Sequence, residues 1–315
     1  VTPNFDPTPS PLTSPAKHLI GIDLGGTNIK GALFDASTGE CLDRATTPTR
    51  DGEKDGDLPA WSSGVRKLVE QFEAQVGAGT TSLPIGISAP GLAARDGSCI
   101  SWMPGRMHGL EGFQWAEFLQ RPTRVLNDAH AAILGEVWQG AAAGARDAVM
   151  LTLGTGVGGA VISDGRLLTG HLGRAGHLGH ITVDHHGSPG ITGTPGSLED
   201  AVGNATVATR SQGRFTSTRA LLEAVVAGDA DAHRVWDISV HALAAGMVSL
   251  INCFDPETFI LGGGIAAGAA GLLTDPLQEL LDQMEWRPGG HRVKLVLATL
   301  GEWAGATGAA WYAGR

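Results

Sequence analysis

Cysteine is scarce in this chain. It has three in 315 residues, Cys41, Cys99 and Cys253, far apart and with no CxxC pair. That pattern argues against a disulfide framework and fits a reducing, cytoplasmic setting. Basic charge is short as well: 22 Lys and Arg face 32 Asp and Glu, a net charge of −10. Phosphate backbones demand a basic footprint, so no nucleic-acid partner is expected. No apolar run approaches the ~20 residues of a membrane span. No basic region followed by an apolar one marks a leader at the N-terminus. No membrane partner is expected.

Glycine, by contrast, is abundant at 47 residues, clustered rather than periodic, which excludes a collagen-like chain. With 42% hydrophobic residues the chain can build a core, and its length predicts two domains. Residues 1–17, with Pro3, Pro7, Pro9, Pro11 and Pro15, read as a disordered tail.

Two stretches look like copies. Residues 21–35 (GIDLGGTNIKGALFD) and 151–164 (LTLGTGVGGAVISD) each run apolar segment, Gly/Thr cluster, apolar segment, Asp. Each reads as a hairpin with a phosphate-sized turn. Around them the pattern predicts strands at 18–23, 29–35, 42–47, 84–88, 125–126, 258–261 and 293–297. Helices are predicted at 58–76, 129–139, 272–284 and 301–312, and from 197 to 254 with one break. Strand meanders followed by helices, twice over, predict two mixed α/β domains with a ligand cleft between them.

In the first hairpin, Gly25, Gly26 and Thr27 let backbone approach an anion, and Asp23 precedes the turn where it could hold a water of Mg²⁺. An ordinary glycine turn fits equally well. No Gly-Lys-Ser/Thr follows, and the next segment is a strand, so neither a Walker loop nor a dinucleotide fingerprint is present. Gly154, Thr155, Gly156 and Gly158 form the second cluster. Asn127-Asp128 closes a strand and opens a helix. It is either an N-cap or a carboxylate kept ionised by the helix dipole, able to take a hydroxyl proton. Gly262-Gly263-Gly264 suits either a strand-to-helix turn or the close passage of a flat ligand. His177, His180, His185 and His186 crowd ten residues; loop hydrogen bonding is favoured over a metal cluster. Glu199 is a first-turn acid or a ligand carboxylate.

Together these residues resemble the ROK family (repressor, open reading frame, kinase) of the actin–hexokinase superfamily, from about His18 to Tyr312. Asp23–Thr27, Asn127-Asp128-Ala129, Gly154–Gly159 and Leu261–Gly264 look like its phosphate, catalytic, second phosphate and adenosine motifs. Ala175–His180 and Gly196–Glu199 resemble its sugar signature. The resemblance implies a two-domain α/β actin-like ATPase (ribonuclease H-like) fold with a duplicated mixed sheet. The small domain would span 18–126, with about 301–315 packing back on it, and the large domain 127–300.

It also implies an ATP-dependent hexose kinase using Mg²⁺, often a homodimer. Asp128 would be the base for a hexose hydroxyl, usually the 6-OH. Asn127, His180 and Glu199 would contact the sugar, and Gly91 would line its site. Gly25, Gly26, Thr27, Gly154, Thr155, Gly156, Gly158, Gly262, Gly263 and Gly264 would hold the nucleotide. Two departures stand out. The family's zinc-binding cysteines are missing from 190–197, so no structural zinc is expected. His177 stands where the family usually has Glu, which leaves the sugar open. The alternatives are a non-catalytic or regulatory sugar binder, a polyphosphate donor, and a fructose or N-acetylhexosamine acceptor.

Overall fold

The computed structural model describes residues 16–77 and 83–315; the expected disordered tail lies almost wholly outside them. The chain divides into two compact units, 1–138 with 303–315, and 139–302.

In the first unit, β1 (His18–Leu24), β2 (Asn28–Asp35), β3 (Cys41–Pro48), β4 (Ile85–Ala89) and β5 (Thr123–Asn127) form one sheet in the order β3-β2-β1-β4-β5. The β1–β2 and β2–β3 pairs are antiparallel; β1–β4 and β4–β5 are parallel. α1 (Ala60–Val76) packs its buried Trp61, Val65, Leu68, Val69 and Phe72 against one face. It starts two residues later than the periodicity suggests. Leu58-Pro59 pairs as a short strand with Lys54-Asp55, and Pro59 occupies the N-cap. α2 (Asp128–Gln139) follows β5 directly.

The C-terminal helix, Ala304–Ala313, covers the other face at backbone distance. A Cβ on Gly21 would collide with the Ala306 carbonyl oxygen, and one on Gly86 with that of Ala309. One on Gly308 would collide with the Ala131 carbonyl of α2. That last contact explains why α2 belongs to this unit, whereas the expected boundary at 126/127 assigned it to the other.

The second unit repeats the pattern. β6 (Ala148–Leu153), β7 (Val157–Ser163), β8 (Arg166–Leu167), β9 (Thr258–Gly262) and β10 (Lys294–Leu297) run β8-β7-β6-β9-β10. The same mixture recurs, antiparallel at β6–β7 and β7–β8 and parallel at β6–β9 and β9–β10. The expected helical run from 197 is more broken than its pattern suggests: α3 (Leu198–Val202), a turn at 204–210, α4 (Thr218–Val226) and α5 (Ala230–Phe254). α6 (Gly263–Ala269) and α7 (Gly271–Met284) follow β9. The α6 sequence, GGIAAGA, has too few large apolar residues to show a period.

α5 is long and apolar enough to cross a membrane by length and composition alone. It carries Asp231, Arg234 and Asp237, and it buries Val240, Leu243, Met247 and Leu250 in the core of this unit. That makes it a core helix. Cys41, Cys99 and Cys253 are unpaired.

Candidate active site

The first unit gathers one set of site residues at the C-terminal ends of its parallel strands. Asp23 is paired across the ladder with Ser88, whose hydroxyl donates to Asp23 Oδ1 at 2.8 Å. Burial pushes the Asp23 carboxyl up to about 6; the Ser88 hydrogen bond opposes that rise, and the nearby Asp128 charge adds to it. Gly305 of the C-terminal helix leaves room for this pair, since a Cβ there would stand 2.7 Å from Asp23 Oδ1.

Leu24 and Ile29 are the last β1–β2 pair, so the turn is Gly25, Gly26, Thr27 and Asn28. Gly25 N–H donates to Asn28 O at 3.1 Å. Thr49, fully buried and unremarkable in the sequence, steadies the turn: its hydroxyl donates to Gly25 O at 2.6 Å and its N–H to Thr27 O at 2.9 Å. Gly26 and Thr27 stay exposed.

Asn127 caps α2: its Oδ1 accepts from Ala129 N at 2.9 Å and His130 N at 3.3 Å. Its Nδ2 donates to Gly91 O at 2.9 Å. Gly91, at φ +104, cannot carry a Cβ without meeting Trp102 O at 2.7 Å. Asn127 is thus a clamp that fixes the Gly91 turn and the start of α2 together. Asp128, the first residue of α2, takes Ala129 N–H on Oδ1 at 2.8 Å. Crowding by protein raises its carboxyl above the ordinary range. The Ala129 N–H, the Asn127 amide and the Arg106 charge pull the other way. Asp128 stands at the positive end of a helix, which favours its ionised form, and there it is chemically suited to accept a hydroxyl proton. Ser88 and Thr49 carry no signal in the sequence, because each acts through a contact far along the chain.

The second unit gathers the rest. Leu153 and Val157 are the last β6–β7 pair, leaving Gly154, Thr155 and Gly156 as the turn. Gly158 lies within the ladder opposite Thr152 rather than in the turn. This turn is held from outside. Val157 N–H donates to Glu199 Oε2 at 2.9 Å, Asn204 N–H to Gly154 O at 2.9 Å, and Ala205 N–H to Thr155 O at 2.9 Å. A Cβ on Gly156 would strike the Glu199 carboxylate. Glu199 therefore supports the glycine turn, a role its sequence position did not reveal. Arg210 secures the end of α3 by donating to the carbonyls of Asp200 at 3.1 Å and Gly203 at 2.8 Å. Burial holds its pKa down at about 10.

The histidines sit beside this turn. Leu178–His180 is a single 3-10 turn; Leu178 plugs the space over Gly159, and a Cβ on Gly179 would collide with Val157 O. His177 precedes this turn and His180 closes it, their rings parallel with centroids 6.4 Å apart. Leu198 N–H donates to Ile181 O at 2.9 Å, which brings the start of the Glu199 helix alongside His180. Gly263, at φ +86, passes too close to the Leu153 backbone for any Cβ, while Gly264 faces open space. A cavity of about 760 Å³ opens there, floored by Gly154, Thr155 and Gly264 and walled by Leu222, Val226 and Ile265. Another of about 770 Å³, beside Leu19, Asp35 and Trp311, lies at the opposite strand ends of the first unit from Asp23.

Residues 190–197, where no structural zinc is expected, lie in a loop closed by its own hydrogen bonds. Gly190 N–H donates to Thr194 O at 2.9 Å, Gly196 N–H to Ser188 O at 3.0 Å, and Ser197 Oγ to Asp200 Oδ2 at 2.8 Å. Among the described residues no three His, Cys, Asp or Glu side chains are placed to hold a metal together.

The sequence model of the ROK family matches residues 19–315. The chain is 32% identical to a glucokinase of Thermotoga maritima, over 94% of this chain and 97% of that protein. It is 31% identical to an N-acetylmannosamine kinase of Escherichia fergusonii, over 92% and 96%. The crystal structure of a ROK hexokinase from Thermus thermophilus superposes with a TM-score of 0.81 at 31% identity, covering 93% of this chain and 97% of that one. That of a ROK family glucokinase from Streptomyces griseus, in complex with glucose and AMPPNP, gives 0.71 at 26% identity, covering 93% and 98%. With the duplicated sheet, both glycine hairpins and end-to-end similarity in place, this chain belongs to the ROK family.

Proposed function

We propose that this ROK-family sugar kinase transfers the γ-phosphoryl group of ATP to the 6-hydroxyl of glucose or a closely related hexose, with Asp128 as general base. The observation that carries the reading is Asp128 at the N-terminus of α2, in the same unit as the exposed Gly25–Thr27 turn and fixed through Asn127 and Gly91. ATP is the donor of choice because the second unit joins a glycine turn to a cavity large enough for a nucleoside, and because the Streptomyces griseus relative was crystallised with AMPPNP. Its companion ligand, glucose, supports a hexose acceptor.

In this mechanism Asp128 holds the hydroxyl and takes its proton as the oxygen attacks phosphorus. In the first unit the backbone N–H groups of the Gly25–Thr27 turn are suited to phosphate, and in the second so are those of the Gly154–Gly156 turn. His180 and Glu199 are the second unit's candidates for sugar hydroxyls, and Glu199 also keeps its own turn in shape. Asp23 fits a water-mediated Mg²⁺ site: a single carboxylate beside a phosphate turn is the usual protein contribution to such an ion. When bound, Mg²⁺ neutralises charge on the phosphates. The three unpaired cysteines support a cytoplasmic setting, and the family resemblance supports a homodimer, which size-exclusion chromatography with light scattering reads directly.

The test is a coupled ADP-release assay over a sugar panel, with ATP and polyphosphate as separate donors, on wild type and Asp128→Asn. Turnover should fall about 10²–10⁴-fold in the variant while calorimetry still detects sugar binding. Substantial residual turnover would rule out the base assignment. His177→Glu in the same panel addresses the sugar. An unchanged KM ranking would remove His177 from the acceptor site.

A further inference from the structure

Arg106 has no role in the site as described so far. Its loop is well anchored. Ile100, Met107 and Leu110 are buried, Gly112 N–H donates to Ile100 O at 2.8 Å, and Leu110 N–H to Met107 O at 3.0 Å. Met107 adopts φ +49 to turn its side chain into the core, and Arg106 beside it is exposed. Two separate observations locate its head group. Nη2 lies 4.0 Å from where a Cβ on Gly26 would stand, at the tip of the first glycine turn. Its charge also acts on Asp128. Among the described residues the guanidinium makes no hydrogen bond and no ion pair.

A surface arginine usually settles against a carboxylate or a backbone carbonyl. This one is held on an anchored loop, near both a phosphate-sized turn and a carboxylate base, with its donors unspent. A guanidinium offers a planar fork that matches phosphoryl oxygens. We propose that Arg106 contacts the phosphoryl group in flight, an inference that rests on the sugar-kinase reading above.

In the transfer, the sugar oxygen bonds to the γ-phosphorus and its proton passes to Asp128. The bond from phosphorus to the β,γ-bridging oxygen breaks, and its electron pair leaves on ADP. Negative charge on the three non-bridging oxygens is then closest to the first turn, where the Arg106 fork can follow it.

The experiment compares wild type, Arg106→Ala and Arg106→Lys in the ADP-release assay, with melting temperatures and with methylguanidinium added back. Arg106→Ala should lower kcat about 30- to 100-fold while the sugar KM changes less than about threefold. Arg106→Lys should fall between the two, added methylguanidinium should restore part of the alanine variant's turnover, and Tm should hold. A competent wild type whose Arg106→Ala retains kcat within about twofold would sink this proposal alone. So would a loss that is equal in both variants and tracks a lower Tm or weaker sugar binding. A wild type that phosphorylates no sugar would overturn the kinase reading, and the Arg106 role with it.

Discussion

The two glycine hairpins share topology but are supported differently. In the first, the C-terminal helix lies on the sheet backbone to backbone, over Gly21 and Gly86, and Gly305 spares the space for Asp23. In the second, a side chain does the work: Glu199 receives Val157 N–H and closes on Gly156, and the segment after α3 takes up the Gly154 and Thr155 carbonyls. Both turns have hydrogen bonds and close backbone contacts, Thr49 at the first and Gly179 and Gly263 at the second. They differ in that only the second rests on a carboxylate, which can respond to what binds near it. Duplication preserved the strand order, not the scaffold behind the turn.

Substitutions can separate the two supports. Gly86→Ala should have the largest effect, because its Cβ would collide with a backbone oxygen and neither strand nor helix can give way alone. We expect about 3 kcal/mol or more of destabilisation, or no soluble protein, by denaturant titration. A variant of wild-type stability would mean the helix is loosely seated. Gly156→Ala should come next. Its Cβ would displace only the flexible Glu199 carboxylate, so the fold should survive while kcat/KM falls about tenfold or more. Gly26→Ala, with only Arg106 as near as 4.0 Å, should leave Tm unchanged. Equal Tm losses in both would erase the distinction.

Ser88→Ala is subtler. The hydroxyl favours the ionised form of Asp23, so its loss should raise a carboxyl already at about 6. Fewer molecules then carry the charged form at neutral pH. The acid limb of kcat/KM should move to higher pH, by up to about one unit. A limb that stays put would show that Asp23 does not set it. Smallest of all is chelation: a strong zinc chelator should leave Tm within about 1 °C, since the 188–200 loop is closed by its own hydrogen bonds. A chelator-sensitive melt would contradict that.

Much of this was legible in the chain. Both hairpins, α1 and the Asn127-Asp128 junction declare themselves through period, turn residues and capping chemistry. The supports do not. Gly21 and Gly86 sit inside apolar strands where glycine weakens pairing, and only the helix that arrives from residues 304–313 explains them. Glu199 reads as a first-turn acid because nothing in its neighbourhood announces a partner 42 positions away. The contact of α2 with Gly308, which groups this helix with the first unit, is invisible to local pattern for the same reason.

The C-terminal helix has one more consequence, for the order in which the molecule is built. The second unit is a continuous stretch, 139–302, whereas the first needs residues from both sides of it. As the chain leaves the ribosome, the sheet bearing Asp23 must wait with one face uncovered until the second unit has been synthesised, because the two parts of its core are separated by that whole stretch. Pulse-labelled hydrogen exchange should therefore find β6 and β9 protected before β1 and β4. The acid beside the first phosphate turn would then be among the last features of the enzyme to acquire its environment.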